Sequence, residues 1–316
     1  MRRASTPSAG RRRSPAKSSA DAHRRSSSAA VESTLEEIAL TIAEPTPADL
    51  LAAAEAAADA AAEIQRHYFR SRDLEIEEKE ANDFVTRADK ESEAAILELL
   101  MGRFPDHAVL AEESGLSEAG GDYRWFVDPL DGTSNFLQGL PYFCVSIACQ
   151  HRGVTVASVV LEPLRGERFT ATRSGGAFWN GRPMSISKRP GVDGAFLATG
   201  YPFRAKAALD VYLDVFRDLL LAARGVRRCG AAALDLAYTA AGVYDGFFEF
   251  RLSPWDIAAG SLLVEEAGGV LSDLDGADRW LEGGSVLAAN AEVHGDILEI
   301  VSRHVSEASL RALSPR

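Results

Sequence analysis

The strongest constraint in the sequence is a run of bulky apolar residues that leads directly into two acids and a turn. Residues 125–127 are Trp, Phe and Val, and the segment Asp128-Pro129-Leu130-Asp131-Gly132-Thr133 follows them. Proline disfavours the helical conformation for the residue before it, so Asp128 should stay extended at a strand end. Gly132 lets the backbone approach a ligand closely, and Thr133 can begin a helix whose free N–H groups hold an oxyanion. The segment therefore predicts a strand, a turn and a helix start that bring two carboxylates beside an anion site.

Three other acidic segments lie in a similar context, beside strand ends or helix starts. They contain Asp89, the pair Glu112-Glu113, and Asp256 after Pro254-Trp255. Carboxylates, the Leu130 carbonyl and water form a ligand set of hard oxygens without His or Cys, which favours Mg²⁺ or Mn²⁺ over zinc. A single segment of this kind is compatible with a plain turn that carries surface acids, since Asp and Gly are common turn formers. Four of them together favour metal-assisted phosphoryl transfer to water.

The pattern of apolar residues predicts an antiparallel sheet followed by alternating strands and helices. Helices are expected over 46–68 and 88–101, and buried strands over 107–111, 123–127, 143–150, 155–161 and 167–173. Beyond about residue 190, strands at 196–199 and 246–250 alternate with helices at 209–222, 233–241 and 256–267. We therefore expect a metal-binding α+β half over 45–190 and an α/β half over 191–316 that completes the active site.

The N-terminal segment differs in charge from the rest of the chain. Residues 1–30 carry eight basic groups against one acid, a charge of +7, whereas the whole chain has a net charge of −12. Without large apolar residues beyond Met1, this segment cannot form a core, and we expect residues 1–44 to be a disordered basic tail. A solvated extension, a tether to nucleic acid or an acidic surface, and an organelle transit peptide stay open as interpretations.

Two further features bear on the compartment. No run of about 18 apolar residues occurs, so no membrane-spanning helix is expected. The three cysteines, Cys144, Cys149 and Cys229, are too scattered for a disulfide framework or a zinc site. They fit a reducing compartment, and we expect a cytoplasmic protein.

The four acidic segments resemble, in the same order, those of the inositol monophosphatase family. Residues 128–136 are similar to the first signature of the family and residues 255–269 to its second, while 83–89 and 111–114 match the other two acidic segments. The resemblance covers about residues 48–300. It implies the layered α/β/α/β/α sugar-phosphatase fold, with an antiparallel sheet in the first half and a mixed sheet in the second. It also implies a homodimer and inhibition by lithium, in the inositol-1-monophosphatase branch.

The resemblance also implies ligands for two or three Mg²⁺ ions. They are Glu112, Asp128, the Leu130 carbonyl, Asp131 and Asp256. Glu112, Asp128 and the carbonyl would hold the first ion, and the three aspartates would hold the second. Glu112 would in addition support a third, weaker ion.

Other implied roles concern the attacking water and the phosphate. Thr133 and Asp89 would form a hydrogen-bonded pair that orients and deprotonates the water, which is a coherent way to make water a nucleophile at neutral pH. The N–H groups of Gly132 and Thr133 would cradle the phosphate. Lys79 is open to two interpretations, a solvated lysine or a group that screens phosphate charge.

A final group of residues bears on the substrate. The resemblance makes Glu249, seven residues before Asp256, a ligand for substrate hydroxyls, which suits a polyol because a carboxylate accepts hydroxyl hydrogen bonds. An edge-strand salt bridge between Glu249 and Arg251 is the alternative. The implied partners of Glu249 around the polyol are Asp131, Gly230 and Ala232. Arg227 and Arg228 just before them are either structural or steer phosphate.

These observations predict a Mg²⁺-dependent phosphomonoesterase that acts on a small polyol phosphate, with inositol-1-phosphate the first expectation. Histidinol phosphate, fructose-1,6-bisphosphate and 3′-phosphoadenosine 5′-phosphate are the alternatives within the same family. A bisphosphate-specific enzyme would need a further basic cluster, for which Arg204 and Lys206 are the nearby candidates. An alternative of another class is a scaffold whose basic tail engages nucleic acid; loss of a metal-binding acid would favour it, and none is lost.

Overall fold

The first described helix begins at a capping threonine. The computed structural model describes residues 44–71, 74–80, 83–117, 119, 121–202 and 208–306, so the predicted tail lies outside it except for Glu44. Helix α1 (Pro47–Tyr68) starts after Thr46, whose hydroxyl accepts the Asp49 N–H at 3.2 Å while the Asp49 carboxylate accepts the Thr46 N–H at 3.1 Å. This reciprocal capping satisfies two otherwise free N–H groups and fixes the start of the helix.

The same device begins the second helix. A short hairpin of β1 (Glu77–Glu80) and β2 (Asp83–Val85) leads into α2 (Arg87–Arg103), which Thr86 and Asp89 cap reciprocally. Both predicted helices of the first half are therefore confirmed to within a few residues. The side chains of Lys79 and Asp83 fall outside what the structure describes.

The first half of the chain forms an eight-stranded sheet in the order β10-β9-β8-β7-β6-β5-β3-β4. Its strands are β3 (Ala108–Ala111), β4 (Gly115–Ser117), β5 (Tyr123–Asp131), β6 (Cys144–His151), β7 (Val154–Glu162), β8 (Glu167–Thr172), β9 (Gly176–Trp179) and β10 (Arg182–Pro183). The predicted antiparallel character is confirmed from β5 to β10, and β3 pairs with β5 in parallel.

A second sheet of five strands follows, in the order β12-β11-β13-β15-β14. It contains β11 (Phe196–Thr199), β12 (Gly225–Arg227), β13 (Gly246–Glu249), β14 (Val270–Ser272) and β15 (Val286–Ala289). The sheet is mixed, as predicted, because β12, β11 and β13 are parallel while β15 is antiparallel to both its neighbours. The described residues form six further helices after α1 and α2: α3 (Thr133–Leu137), α4 (Leu209–Ala222), α5 (Ala232–Ala240), α6 (Pro254–Glu266), α7 (Trp280–Gly283) and α8 (Ala291–Ser302).

The two sheets and the helices stack in five layers. Trp125 and Val127 of β5 pack in one cluster with the buried alanines of α1, whereas Phe126 between them packs in the cluster that contains α5 and α6. This alternation follows from the two-residue repeat of a strand. The far face of the second sheet packs against α4 and α8. The layers are therefore α1/α2, the large sheet, α5/α6, the small sheet and α4/α8, and the expected α/β/α/β/α fold is confirmed.

One local prediction about the acidic turn is wrong. Strand β5 does not end at Val127; it continues to Asp131, pairing Asp128 with Ser146 and Asp131 with Cys144 across an irregular register. Pro129 has no N–H to donate to a neighbouring strand, and the Leu130 N–H bonds to the Asp128 carboxylate at 3.0 Å instead. The pairing with β6 therefore resumes beyond this irregularity.

The chain passes from the first sheet to the second between Pro183 and Phe196. The described residues from Thr46 onward form one compact unit; the two halves 45–190 and 191–316 stay a prediction. Cys144, Cys149 and Cys229 are free thiols. Among the described helices, none has the length and apolar character needed to cross a membrane.

Candidate active site

A cleft of about 130 Å³ lies where the end of β5, the end of β13 and the starts of α3, α5 and α6 meet. Of the predicted site residues, those that line it are Glu112, Asp128, Leu130, Asp131, Gly132, Thr133, Gly230, Ala232, Glu249 and Asp256. Asp89 does not line the cleft but bonds to Thr133, which does. The structure thus brings together residues that are up to 144 positions apart in the chain, from Glu112 to Asp256.

The turn after β5 is possible only with glycine. Gly132 has a φ of 95°, in the left-handed region that side chains disfavour. A Cβ there would lie 3.0 Å from the Tyr142 carbonyl oxygen and 3.3 Å from the Ala231 Cβ. The turn is therefore packed tightly against the segment that precedes α5, which places Thr133 at the start of α3 facing the cleft.

Backbone N–H groups hold two of the acids in place. The Asp131 carboxylate accepts the Ala233 N–H at the start of α5, at 2.8 Å. The Asp256 carboxylate accepts the Ser253 N–H at 2.8 Å, in a capping box at the start of α6. Because both bonds use fixed backbone donors, the direction of each carboxylate is set by the helix it caps or contacts.

Buried contacts fix the segments that carry Glu112 and Asp128. The Glu93 carboxylate on α2 accepts the N–H groups of Glu113 and Ser114, each at 2.9 Å. On the other side, Gln65 near the end of α1 donates its Nε2 to the Pro129 carbonyl. Helices α1 and α2 therefore support the two acidic segments from behind the sheet.

Thr133 and Asp89 are hydrogen-bonded, at 3.1 Å between Oγ1 and Oδ1. The other oxygen of Asp89 accepts the Thr86 N–H at 2.8 Å, so α2 orients the carboxylate. Burial raises the pKa of Asp89 to about 6, against the lowering effect of the Thr86 bonds. A carboxyl with such a pKa is ionised at neutral pH and is still basic enough to accept a proton.

The acids of the cleft raise one another's pKa values. Burial first, and then the charges of Glu112, Asp131 and Asp256, raise the pKa of Asp128 well above its usual value. Burial and Asp256 raise the pKa of Asp131 to about 7, although its backbone bonds oppose the shift. Closely spaced buried carboxylates of this kind are stabilised by a cation.

The donor set fits a hard divalent ion. Across the described ranges, no three or more His, Cys, Asp or Glu side chains already stand as a complete metal-ligand cluster, so other oxygen ligands would complete the shell of an ion bound here. Mg²⁺ in proteins is commonly bound through one or two carboxylates, with waters and substrate phosphates completing its shell. Carboxylates that share the cleft with the Leu130 carbonyl meet that requirement, and their mutual repulsion supplies the electrostatic reason for an ion there.

The opposite side of the cleft presents Glu249. Strand β13, which carries Glu249, is the central strand of its sheet. The alternative that placed Glu249 in a salt bridge on an edge strand is therefore wrong in its placement of the strand. Burial raises the pKa of Glu249 well above its usual value; Asp235 and Asp256 raise it further, and Arg228 lowers it. Its carboxylate lies directly over Gly200, where a Cβ would be 1.8 Å from Oε1.

Sequence reasoning missed several residues of the cleft. Phe84, Ser134, Tyr201, Pro202, Phe250, Arg251 and Leu252 also line it. Arg228 lines it too, which settles the position of a residue whose role was open. Asp235 on α5 is buried, and Tyr142 donates a hydrogen bond to it. Most of these residues lie outside any recognisable motif. The exception is the Arg227-Arg228 pair beside Gly230, which could have indicated a cation near the substrate. The candidates Arg204 and Lys206 lie outside the described residues.

A layered fold with a carboxylate-lined cleft between its sheets defines a class of phosphatase. The profile of the inositol monophosphatase family matches residues 47–306, and the chain belongs to this family. It is 48% identical over 237 residues to the Nus factor SuhB of Pseudomonas aeruginosa. The aligned region covers 73% of this chain and 88% of that protein.

Solved structures agree with this assignment. The extragenic suppressor protein suhB from Bartonella henselae superposes with a TM-score of 0.78 at 37% identity, over 81% of this chain and 99% of that one. The inositol monophosphatase from Anabaena (Nostoc) superposes with a TM-score of 0.73 at 35% identity, over 82% and 98% of the two chains. The predicted family and fold are therefore confirmed.

Proposed function

We propose that this protein is a phosphomonoesterase that uses Mg²⁺ to hydrolyse a small polyol phosphate, with inositol-1-phosphate the first candidate. The observation that carries the proposal is the meeting of Glu112, Asp128, Asp131 and Asp256 in one cleft, next to the Thr133–Asp89 pair. Four separate segments of the chain supply these groups. If the segments were ordinary surface turns, their acids would not be expected to lie in one cleft.

The acids divide into two ligand groups. Glu112, Asp128 and the Leu130 carbonyl would hold a first ion, and Asp128, Asp131 and Asp256 a second, with Glu112 available to a third. When bound, such ions neutralise charge on a phosphate and on the leaving oxygen, and lower the pKa of water. Mn²⁺ has the same preference for oxygen ligands and is an alternative.

The Thr133–Asp89 pair would orient and deprotonate water. A threonine hydroxyl that donates its hydrogen to Asp89 keeps its lone pairs free to accept a hydrogen bond from water. Water held in this way would keep a lone pair free to attack the phosphorus of a bound ester. As it attacks, its proton would pass to the Thr133 oxygen while Thr133 passes its own proton to Asp89, whose pKa of about 6 suits a base near neutral pH.

The remaining site residues would bind the substrate. The N–H groups of Gly132 and Thr133 would donate to the phosphate oxygens. Glu249 would accept hydrogen bonds from substrate hydroxyls, and these bonds would offset part of the cost of burying its charge. Asp131, Gly230 and Ala232 would complete the polyol side, where Ala231 offers no hydroxyl group of its own.

A phosphate-release panel tests the proposal. Inositol-1-phosphate, histidinol phosphate, fructose-1,6-bisphosphate and 3′-phosphoadenosine 5′-phosphate are compared with and without Mg²⁺. We expect metal-dependent release, with inositol-1-phosphate preferred over histidinol phosphate and the adenosine ester. Comparable turnover of all four would refute the polyol assignment, and release that chelation does not affect would refute the metal requirement.

A matched pair of variants tests the ligand role directly. Asp128→Asn should lower turnover by several orders of magnitude and abolish the rise in melting temperature that Mg²⁺ causes. Asp214→Asn, at a half-exposed residue of α4 that pairs with Arg217, should change neither. Near-normal turnover in a folded Asp128→Asn protein would contradict the role.

A homodimer, inhibition by lithium and a cytoplasmic location belong to the same proposal. Sedimentation tests the homodimer, and a lithium titration tests the inhibition.

A second candidate function comes from the names of the relatives. The Pseudomonas aeruginosa and Escherichia coli relatives, 48% and 44% identical, are both called Nus factor SuhB. Such a role would depend on surfaces, and the basic tail is one candidate for a nucleic-acid contact. Complementation of an Escherichia coli strain that lacks its own relative is the test. Rescue by both the wild type and Asp128→Asn would support this function, and rescue by the wild type alone would tie the phenotype to hydrolysis.

A further inference from the structure

Arg228 places a positive charge at the wall of a cleft that is rich in acids and that Arg251 also lines. It lies in the segment between β12 and α5 and lines the cleft together with Tyr201, Gly230 and Glu249. None of the metal-ligand or phosphate-binding roles in the proposed function uses it. A cation at this position therefore needs a separate explanation.

One contact and one open space determine where the guanidinium lies. Its Cζ lies 4.9 Å from the centre of the Tyr201 ring, a distance at which a cation is attracted to an aromatic face. A Cβ on Gly230 would lie 2.5 Å from the Arg228 Nη1, so the absence of a side chain there makes room for the group. The guanidinium thus has an aromatic support on one side and a gap left by a glycine on another.

Neighbouring arginines provide a contrast. Arg224 and Arg227 both lie over the Phe196 ring, at 5.4 Å and 4.6 Å, and neither lines the cleft. Within the described residues, many other arginines are in ion pairs, such as Arg189 with Asp245. Arg228 forms no ion pair with a described residue, and its ring contact leaves the N–H donors at the edge of the guanidinium available.

The charge of Arg228 acts on the polyol side of the cleft. It lowers the pKa values of Glu249 and Asp235, so these are the carboxyl groups that its charge reaches. The phosphate that reacts would sit instead at the turn of Gly132 and Thr133. A cation on the polyol side would therefore meet a part of the substrate other than the reacting phosphate.

We propose that Arg228 binds a second anionic group on the substrate, so that this enzyme also accepts polyol phosphates that carry another phosphate. The inference rests on the proposed function and adds a second substrate class to inositol-1-phosphate. Arginine suits the task because its planar fork of N–H donors matches the oxygens of a phosphate. Glu249 would accept hydrogen bonds from the hydroxyls, while Arg228 would bind the second anionic group.

A pair of esters that differ in one phosphate tests the proposal. The probes are inositol-1-phosphate and inositol-1,4-bisphosphate, assayed with the full-length wild type, Arg228→Ala, Arg228→Lys and the control Arg224→Ala. In Arg228→Ala we expect kcat/KM for the bisphosphate to fall about 10- to 100-fold, the effect of losing a charge-assisted hydrogen bond. For the monophosphate the change should stay under about 3-fold, with the loss appearing in KM. Arg228→Lys should recover part of the loss, and Arg224→Ala should match the wild type.

Each other outcome counts against the proposal. An equal fall for both esters would mean that Arg228 acts on the reacting phosphate or on the fold, and an unchanged bisphosphate would mean that it reads no second charge. A wild type that hydrolyses the monophosphate but not the bisphosphate would also overturn it. Hydrolysis of neither ester with Mg²⁺ would refute the proposed function itself, and this inference with it.

Discussion

The substitution Gly200→Ala should reduce the recognition of polyol hydroxyls while leaving the hydrolytic groups untouched. Gly200 follows directly on β11, and Thr199 of that strand pairs with Phe248 of β13. The next residue on each strand, Gly200 and Glu249, therefore lie side by side. Glu249 is 8% exposed, so its carboxylate has little free space into which it can move.

The size of the effect follows from three distances. A Cβ on Gly200 would lie 1.8 Å from Oε1, 2.0 Å from Cδ and 2.3 Å from Oε2 of Glu249. Rotating the carboxyl group cannot relieve all three contacts. Reaching even 3.0 Å requires Oε1 to move 1.2 Å away, the difference between 3.0 and 1.8 Å. A misplacement of about 1 Å can cost on the order of 100-fold in rate, and overpacking costs about 1–3 kcal/mol of stability.

The assay compares two esters in two glycine variants. For Gly200→Ala we expect kcat/KM for inositol-1-phosphate to fall about 10- to 100-fold, and that for 4-nitrophenyl phosphate, which has no hydroxyls for Glu249, to change less than about 3-fold. The control is Gly295→Ala in α8, where an added Cβ meets nothing within 4 Å. It should leave both rates unchanged and stabilise the protein by about 0.5–1 kcal/mol. An unaltered ratio between the two esters in Gly200→Ala would refute the reasoning, since a general loss of fold would lower both.

Two further predictions concern proton binding. Asp89→Asn and Thr133→Ala should each lower kcat by about 100-fold or more, and the double variant should be little worse than either, because the two groups act as a pair; additive losses in a double-mutant cycle would contradict this. The buried His294, whose ring bonds to Ser272 at 2.8 Å, has a pKa lowered from 6.5 by burial. Below that pH the unfolded chain binds a proton that the folded one resists, so the free energy of unfolding should fall as the pH drops through 6.5. Urea titrations at pH 8 and pH 5 should show a smaller loss in His294→Gln, and an equal loss would exclude His294 as the source.

Local signals in the sequence were sufficient for most of the elements. The caps Thr46-Pro47-Ala48-Asp49 and Thr86-Arg87-Ala88-Asp89 act within one helical turn, so the starts of α1 and α2 depend on neighbours only. The run of apolar residues in β5, Trp125 to Val127, is similarly local. The continuation of β5 past Pro129 was not predictable in this way, because it depends on pairing with β6 across an irregular register.

The candidate site divides along the same line. The acids of the site occur in long sequence motifs. Such motifs identify the members of a site even when these members are distant in the chain. Tyr201 meets Arg228 and Gly200 meets Glu249 only because β11 pairs with both β12 and β13, a topology that no short segment encodes. Asp235 in the alanine-rich α5 is similar: its burial beside Tyr142 depends on how α5 lies against the first half of the chain.

The alanine face of α1 links distant positions in the chain to the acidic turn. Ala54, Ala57, Ala58 and Ala61 have no exposed surface, so methyl groups alone set how closely the helix approaches the sheet. Gln65 comes one turn after Ala61 and reaches the Pro129 carbonyl between Asp128 and Asp131. A larger side chain at any of these alanines would raise the helix and carry that amide away from the turn. Mutational tolerance along this helix should therefore report on the geometry of ion binding, although none of its alanines faces the cleft.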